Sequence, residues 1–104
     1  MTQPTRIQAR ALEGDRASVR MLMSHEMETG FRKDGDGRVV PAWFIQEVAI
    51  MLNGRPVLSA QWGTGVAKNP SLQFVLRGAR RGDTVRVAWL DNRGERRSDE
   101  ATVT

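Results

Sequence analysis

Apolar and polar residues alternate with a period of two along most of the chain. Ile7, Ala9 and Ala11 interleave with Arg6, Gln8 and Arg10, and the run stops at Glu13-Gly14-Asp15. Beyond that turn Ala17, Val19, Met21 and Met23 fall on one side, with Ser18, Arg20 and Ser24 among the residues opposite. Successive side chains of a strand point to opposite faces, so this spacing predicts two half-buried strands joined by a tight turn. Residues 25 to 41 break the pattern. Gly30, Gly35, Gly37 and Pro41 punctuate a polar loop whose DGDG segment turns sharply, and loops this long in small domains are commonly functional or mobile.

A third strand is expected from Ala42 to Leu52, ending at Asn53-Gly54, where both residues tolerate positive φ and favour a two-residue hairpin. Pro56 to Trp62 returns, and GTGVAKNP, residues 63 to 70, forms a second loop. Leu72, Phe74 and Leu76 define a fifth strand, Val85, Val87 and Trp89 a sixth, and a polar strand near Arg96 to Val103 closes the chain. No helical pattern of usable length occurs. Seven short antiparallel strands with regular turn signals predict an immunoglobulin-like β-sandwich, with a small closed barrel as the alternative. The cysteine pair and the tyrosine corner of antibody domains are absent, since the chain has neither residue type.

The third strand is apolar on both sides. Phe44, Val48, Ile50 and Leu52 form an inward set, and Trp43, Ile45, Ala49 and Met51 the opposite one. A two-residue turn pairs Ile50 with Val57, which sends Leu58, Ala60 and Trp62 outward as well. Either a bulge returns them to the core, or the outer face of this hairpin is covered by a partner. The second reading makes Trp43, Ile45, Met51, Leu58 and Trp62 partner-binding residues, with the tryptophans as anchors. An apolar patch there would also allow weak self-association of the isolated chain. The two loops supply a second candidate surface of His25, Met27, Glu28, Arg32, Lys33 and Asn69, against the plainer reading that their Gly and Pro residues only shape turns.

Composition narrows the function classes. At 104 residues and 11.6 kDa the chain is one domain, 39% hydrophobic and 27% charged, as in folded soluble proteins. The longest apolar stretch, Val48 to Leu52, is far short of a membrane span, and MTQPTRIQAR has no apolar core region of a leader. With no cysteine there is no thiol nucleophile and no cysteine-bound metal. The net charge is +4 and the pI about 11.0, but the basic residues are scattered among carboxylates and no stacking stripe of aromatics is evident. A solvated Arg-rich surface is therefore expected in place of a nucleic-acid site. A basic binding module for nucleic acid or another polyanion is the alternative function.

Catalytic signals are poor. His25, the only histidine, precedes Glu26 and Glu28, but in a strand these would not all share a face, and no two-histidine zinc motif exists. No G-x-S-x-G elbow occurs, and GTGVAKNP lacks phosphate-loop spacing. No catalytic residue, metal site or cofactor is expected, leaving a small metal-dependent hydrolase at His25 as a third reading.

The segments HEMETGFRKD (25 to 34), PAWFIQEV (41 to 48), LNGRPVL (52 to 58), QWGTGVAKNP (61 to 70) and WLDNRGERRSDEATV (89 to 103) together resemble the SoxZ family. The resemblance covers nearly the whole chain, and one departure is Glu26, where the family usually has proline. It implies a β-sandwich that is the cysteine-free subunit of the SoxYZ sulfur carrier in thiosulfate oxidation. The sulfur intermediate would then sit on a cysteine of the partner, SoxY, at the end of a glycine-rich C-terminal arm. Periplasmic location, export with a signal-bearing partner, and transient contacts with other thiosulfate-oxidation enzymes are further implications of the resemblance.

Overall fold

The computed structural model describes residues 2–104. It contains seven strands: β1 (Arg6–Leu12), β2 (Arg16–Leu22), β3 (Ile45–Leu52), β4 (Arg55–Gln61), β5 (Ser71–Arg77), β6 (Thr84–Asp91) and β7 (Arg96–Thr102). They form two antiparallel sheets, β1-β2-β5 and β4-β3-β6-β7, and no helix occurs among the described residues. Relative to the constant-type immunoglobulin arrangement, the fourth strand pairs with the third and leaves the other sheet three-stranded. The two sheets meet along one side, where Thr104 exchanges backbone hydrogen bonds with Ala9 and Ala11 of β1 at 3.0 and 2.9 Å.

The core lies between the sheets. Ala17, Val19 and Met21 of β2 face Val48, Ile50 and Leu52 of β3 and Val85, Val87 and Trp89 of β6, all buried. Their spacing of two is the one read from the sequence. The third strand departs from it. The register with β6 shifts between Ile45 and Glu47, so Gln46 is an extra residue and the face of everything before it is reversed. Ile45, expected outside, is consequently at 0% exposure in the core, and Phe44 is only half-buried against its margin.

A second irregularity decides the hairpin. Asn53 and Gly54 adopt φ of 53° and 80°, the paired left-handed turn expected of Asn-Gly. Pairing starts at Leu52 with Arg55 and Met51 with Pro56, then slips, so that Ile50 faces Leu58 and Val48 faces Ala60. Val57 is the bulged residue. Leu58, Ala60 and Trp62 therefore belong to the inward side, which corrects their placement on an outer face, and Ala60 and Trp62 pack against the core. Leu58 stays partly exposed because β4 is an edge strand, a position where Pro56 costs no ladder hydrogen bond on the solvent side. Met51 keeps its outward position.

The long polar segment is a ribbon. Glu28 and Trp43 exchange backbone hydrogen bonds at its base, Val40 N–H donates to Arg32, and Asp34 N–H donates to Arg38. The Asp34 carboxylate then caps the tip by accepting from the amides of Asp36 and Arg38 at 2.9 and 3.0 Å. Gly30 is obligatory near the base: its φ is 88° and a Cβ there would lie 3.2 Å from that of Ala42. Residues 31–39 are all exposed, and Phe31 at 85% is the most open large apolar side chain among the described residues.

Candidate functional site

Where the ribbon joins the sandwich, a buried carboxylate gathers four donors. Asp91, the last residue of β6, accepts from His25 Nε2 at 3.1 Å and Trp43 Nε1 at 2.8 Å on one oxygen. The other accepts from the amides of Arg93 and Glu95, both at 2.9 Å. His25 Nδ1 in turn accepts from the Met27 amide at 3.1 Å, so the ring is the tautomer protonated at Nε2. Its ring also packs edge-on to Trp43 and Trp89, with centroids 5.0 and 5.3 Å away. Burial by itself pushes the Asp91 carboxyl up, but the hydrogen bonds from His25, Trp43 and the two amides outweigh it and hold it below the usual carboxylate range.

This arrangement fixes structure and leaves no nitrogen for chemistry. Both ring nitrogens of His25 are engaged, so neither a metal nor a serine hydroxyl has a lone pair to use. The neighbouring carboxylates point elsewhere: Glu26 pairs with Lys68 at 3.2 Å and Glu28 binds Arg32 through several contacts, the shortest 2.7 Å. Among the described residues no three metal-ligating side chains converge.

The residues expected on the recognition surfaces occupy different environments. His25 and Met27 are buried and anchor the ribbon, the Met27 sulfur even accepting the Ile45 amide at 3.3 Å. Trp43 is half-buried against Asp91, with the Arg93 guanidinium 4.1 Å over its ring. Asn69 clips the base of the ribbon: its side-chain oxygen accepts from the His25 amide at 3.0 Å, and its own amide returns a bond to the His25 carbonyl. Arg32 and Lys33 remain exposed on the ribbon, with Glu28 partly covered beneath Arg32. Asp91 carried one local signal, the turn-forming Asp-Asn-Arg-Gly run. Its union with a histidine 66 positions away had none.

A different surface is open. On the outer side of the four-stranded sheet, Ser59, Ala49, Ala88 and Ser98 lie side by side on β4, β3, β6 and β7. Because all four are small, they floor a trough of about 640 Å³ running across the strands. Glu47, Gln61, Leu90 and Arg96 wall one side; Arg86 walls the other, with Met51 beside it on β3. It is a mixed apolar and charged groove with Arg at both rims.

The fold and these features define a small β-sandwich with a braced ribbon at one site and an open groove on its four-stranded sheet. The chain belongs to the SoxZ family, described as sulphur oxidation protein SoxZ, whose family model matches residues 5–102. No curated protein matches it. The family places the chain in sulfur oxidation and in the SoxYZ system.

Proposed function

We propose that the chain is the non-catalytic half of a heterodimeric sulfur carrier, holding a SoxY-like subunit whose C-terminal arm cysteine bears the sulfur intermediate. One observation carries this reading: a chain matched to a sulfur-oxidation family over nearly its full length contains no cysteine. Sulfur held covalently as a thiol adduct must then reside on another chain. The partner seats on the outer face of the four-stranded sheet, where the trough and Met51 offer apolar area framed by Arg86 and Arg96. The periplasm, reached together with the signal-bearing partner, is the compartment, and enzymes acting on the carried sulfur are transient partners.

The test is co-expression with a SoxY-like subunit followed by sedimentation analysis. The wild-type pair is expected to sediment as a heterodimer. Met51→Glu and Ala88→Glu should weaken it at least about 100-fold while leaving a folded monomer, because a charge is penalised only where the interface is dry. Incubated alone with thiosulfate, the chain should acquire no covalent mass. A stable adduct on this chain overturns the carrier-support reading, and an intact heterodimer in both variants overturns the choice of face.

A further inference from the structure

The opposite side of the sandwich carries a segregated charge that the sequence order conceals. In the three-stranded sheet the outward positions run Arg6, Gln8, Arg10 and Leu12 on β1, Arg16, Ser18, Arg20 and Leu22 on β2, and Ser71, Gln73, Val75 and Arg77 on β5. Five of these are arginines and none is acidic. Carboxylates that look interspersed along the chain all project elsewhere, and the remaining basic and acidic groups of the molecule nearly cancel.

The arrangement works against the isolated fold. Arg16 lies directly opposite Arg77 in the β2–β5 register, and Arg20 sits diagonally between Arg6 and Arg10 across the β1–β2 register. Like charges at such positions repel. Among the described residues none of the five arginines makes an ion pair, and only Arg16 spends a guanidinium hydrogen internally, on the Glu13 carbonyl at 3.1 Å. Gln8 and Gln73 flank Arg20 in one row, and these three line both of the shallow depressions on this face. A surface with unspent forked donors and no internal counter-charge is complementary to carboxylates supplied from outside.

We infer that the outer face of the three-stranded sheet is an electrostatic docking surface for an acidic patch on a second folded protein. The side-chain chemistry selects a protein over a nucleic acid. All five cations are arginine, the basic residue enriched at protein interfaces. Exposed Leu12, Leu22 and Val75 lie between them, and no aromatic ring faces outward to stack on bases. This surface does not depend on the carrier reading, since it lies on the other sheet from the trough and is tested on the chain alone.

The probe is a capped peptide of about ten glutamates, compared with a single-stranded oligodeoxynucleotide of equal charge, both titrated into the isotope-labelled protein. Peptide-induced amide shifts are expected on β1, β2 and β5, with affinity falling steeply as salt rises. The single variant Arg20→Glu should bind the peptide at least about tenfold more weakly and melt no lower than wild type, because the new carboxylate lies between Arg6 and Arg10. A purely structural sheet face would not give both results. Shifts scattered over the molecule, an unchanged affinity in the variant, or tighter binding of the oligonucleotide than of the peptide each overturns the proposal.

Discussion

Asp91 is the residue on which most of the local geometry depends. Removing its carboxylate takes the acceptor from the buried imidazole Nε2, the half-buried indole of Trp43 and two part-buried amides. Asp91→Ala is therefore expected to lower stability by about 3 kcal/mol, read as a shift in the urea midpoint. The same carboxylate sets an acid limit. Its folded pKa is depressed, as is that of Asp99, which the Arg97 guanidinium holds down against the opposing effect of partial burial. Groups depressed in the folded state contribute stability above their unfolded pKa of about 3.9 and lose it as pH falls through the folded value. The contribution of these two carboxylates should therefore be present above about pH 4 and be lost below it, more shallowly in Asp91→Ala, as urea titrations at successive pH values will read.

At the scale of elements, strand identity was legible because an exposed face and a core face force the same period of two on almost every strand. What the period cannot carry is an interruption that leaves composition unchanged. Gln46 and Val57 are ordinary strand residues, yet each inserts one position and reverses the face of its neighbours, which moved Ile45, Leu58 and Trp62 from a supposed partner surface to the inward side. The mirrored error is on the other sheet, where residues distant in sequence line up only after pairing and show the arginine face. The bulge makes a sharp prediction. Deleting Val57 keeps Ile50 opposite Leu58 and should change the melting temperature little. Deleting Ser59 turns Ala60 and Trp62 outward and should cost about 2 kcal/mol or more, measured by the same thermal scan. Ile50→Glu, on the core side of β3, should prevent folding where Met51→Glu does not.

For the molecule as a whole, the elongated shape has a hydrodynamic consequence. The chain measures 55 by 21 by 20 Å, with a radius of gyration of 15.6 Å, against about 13 Å for a compact chain of this length. An elongated particle has a larger frictional radius than a sphere of equal mass. On a sizing column calibrated with globular standards, the monomer will therefore elute ahead of its true mass and imitate a self-associated species. Mass must come from sedimentation equilibrium or light scattering, which do not depend on shape.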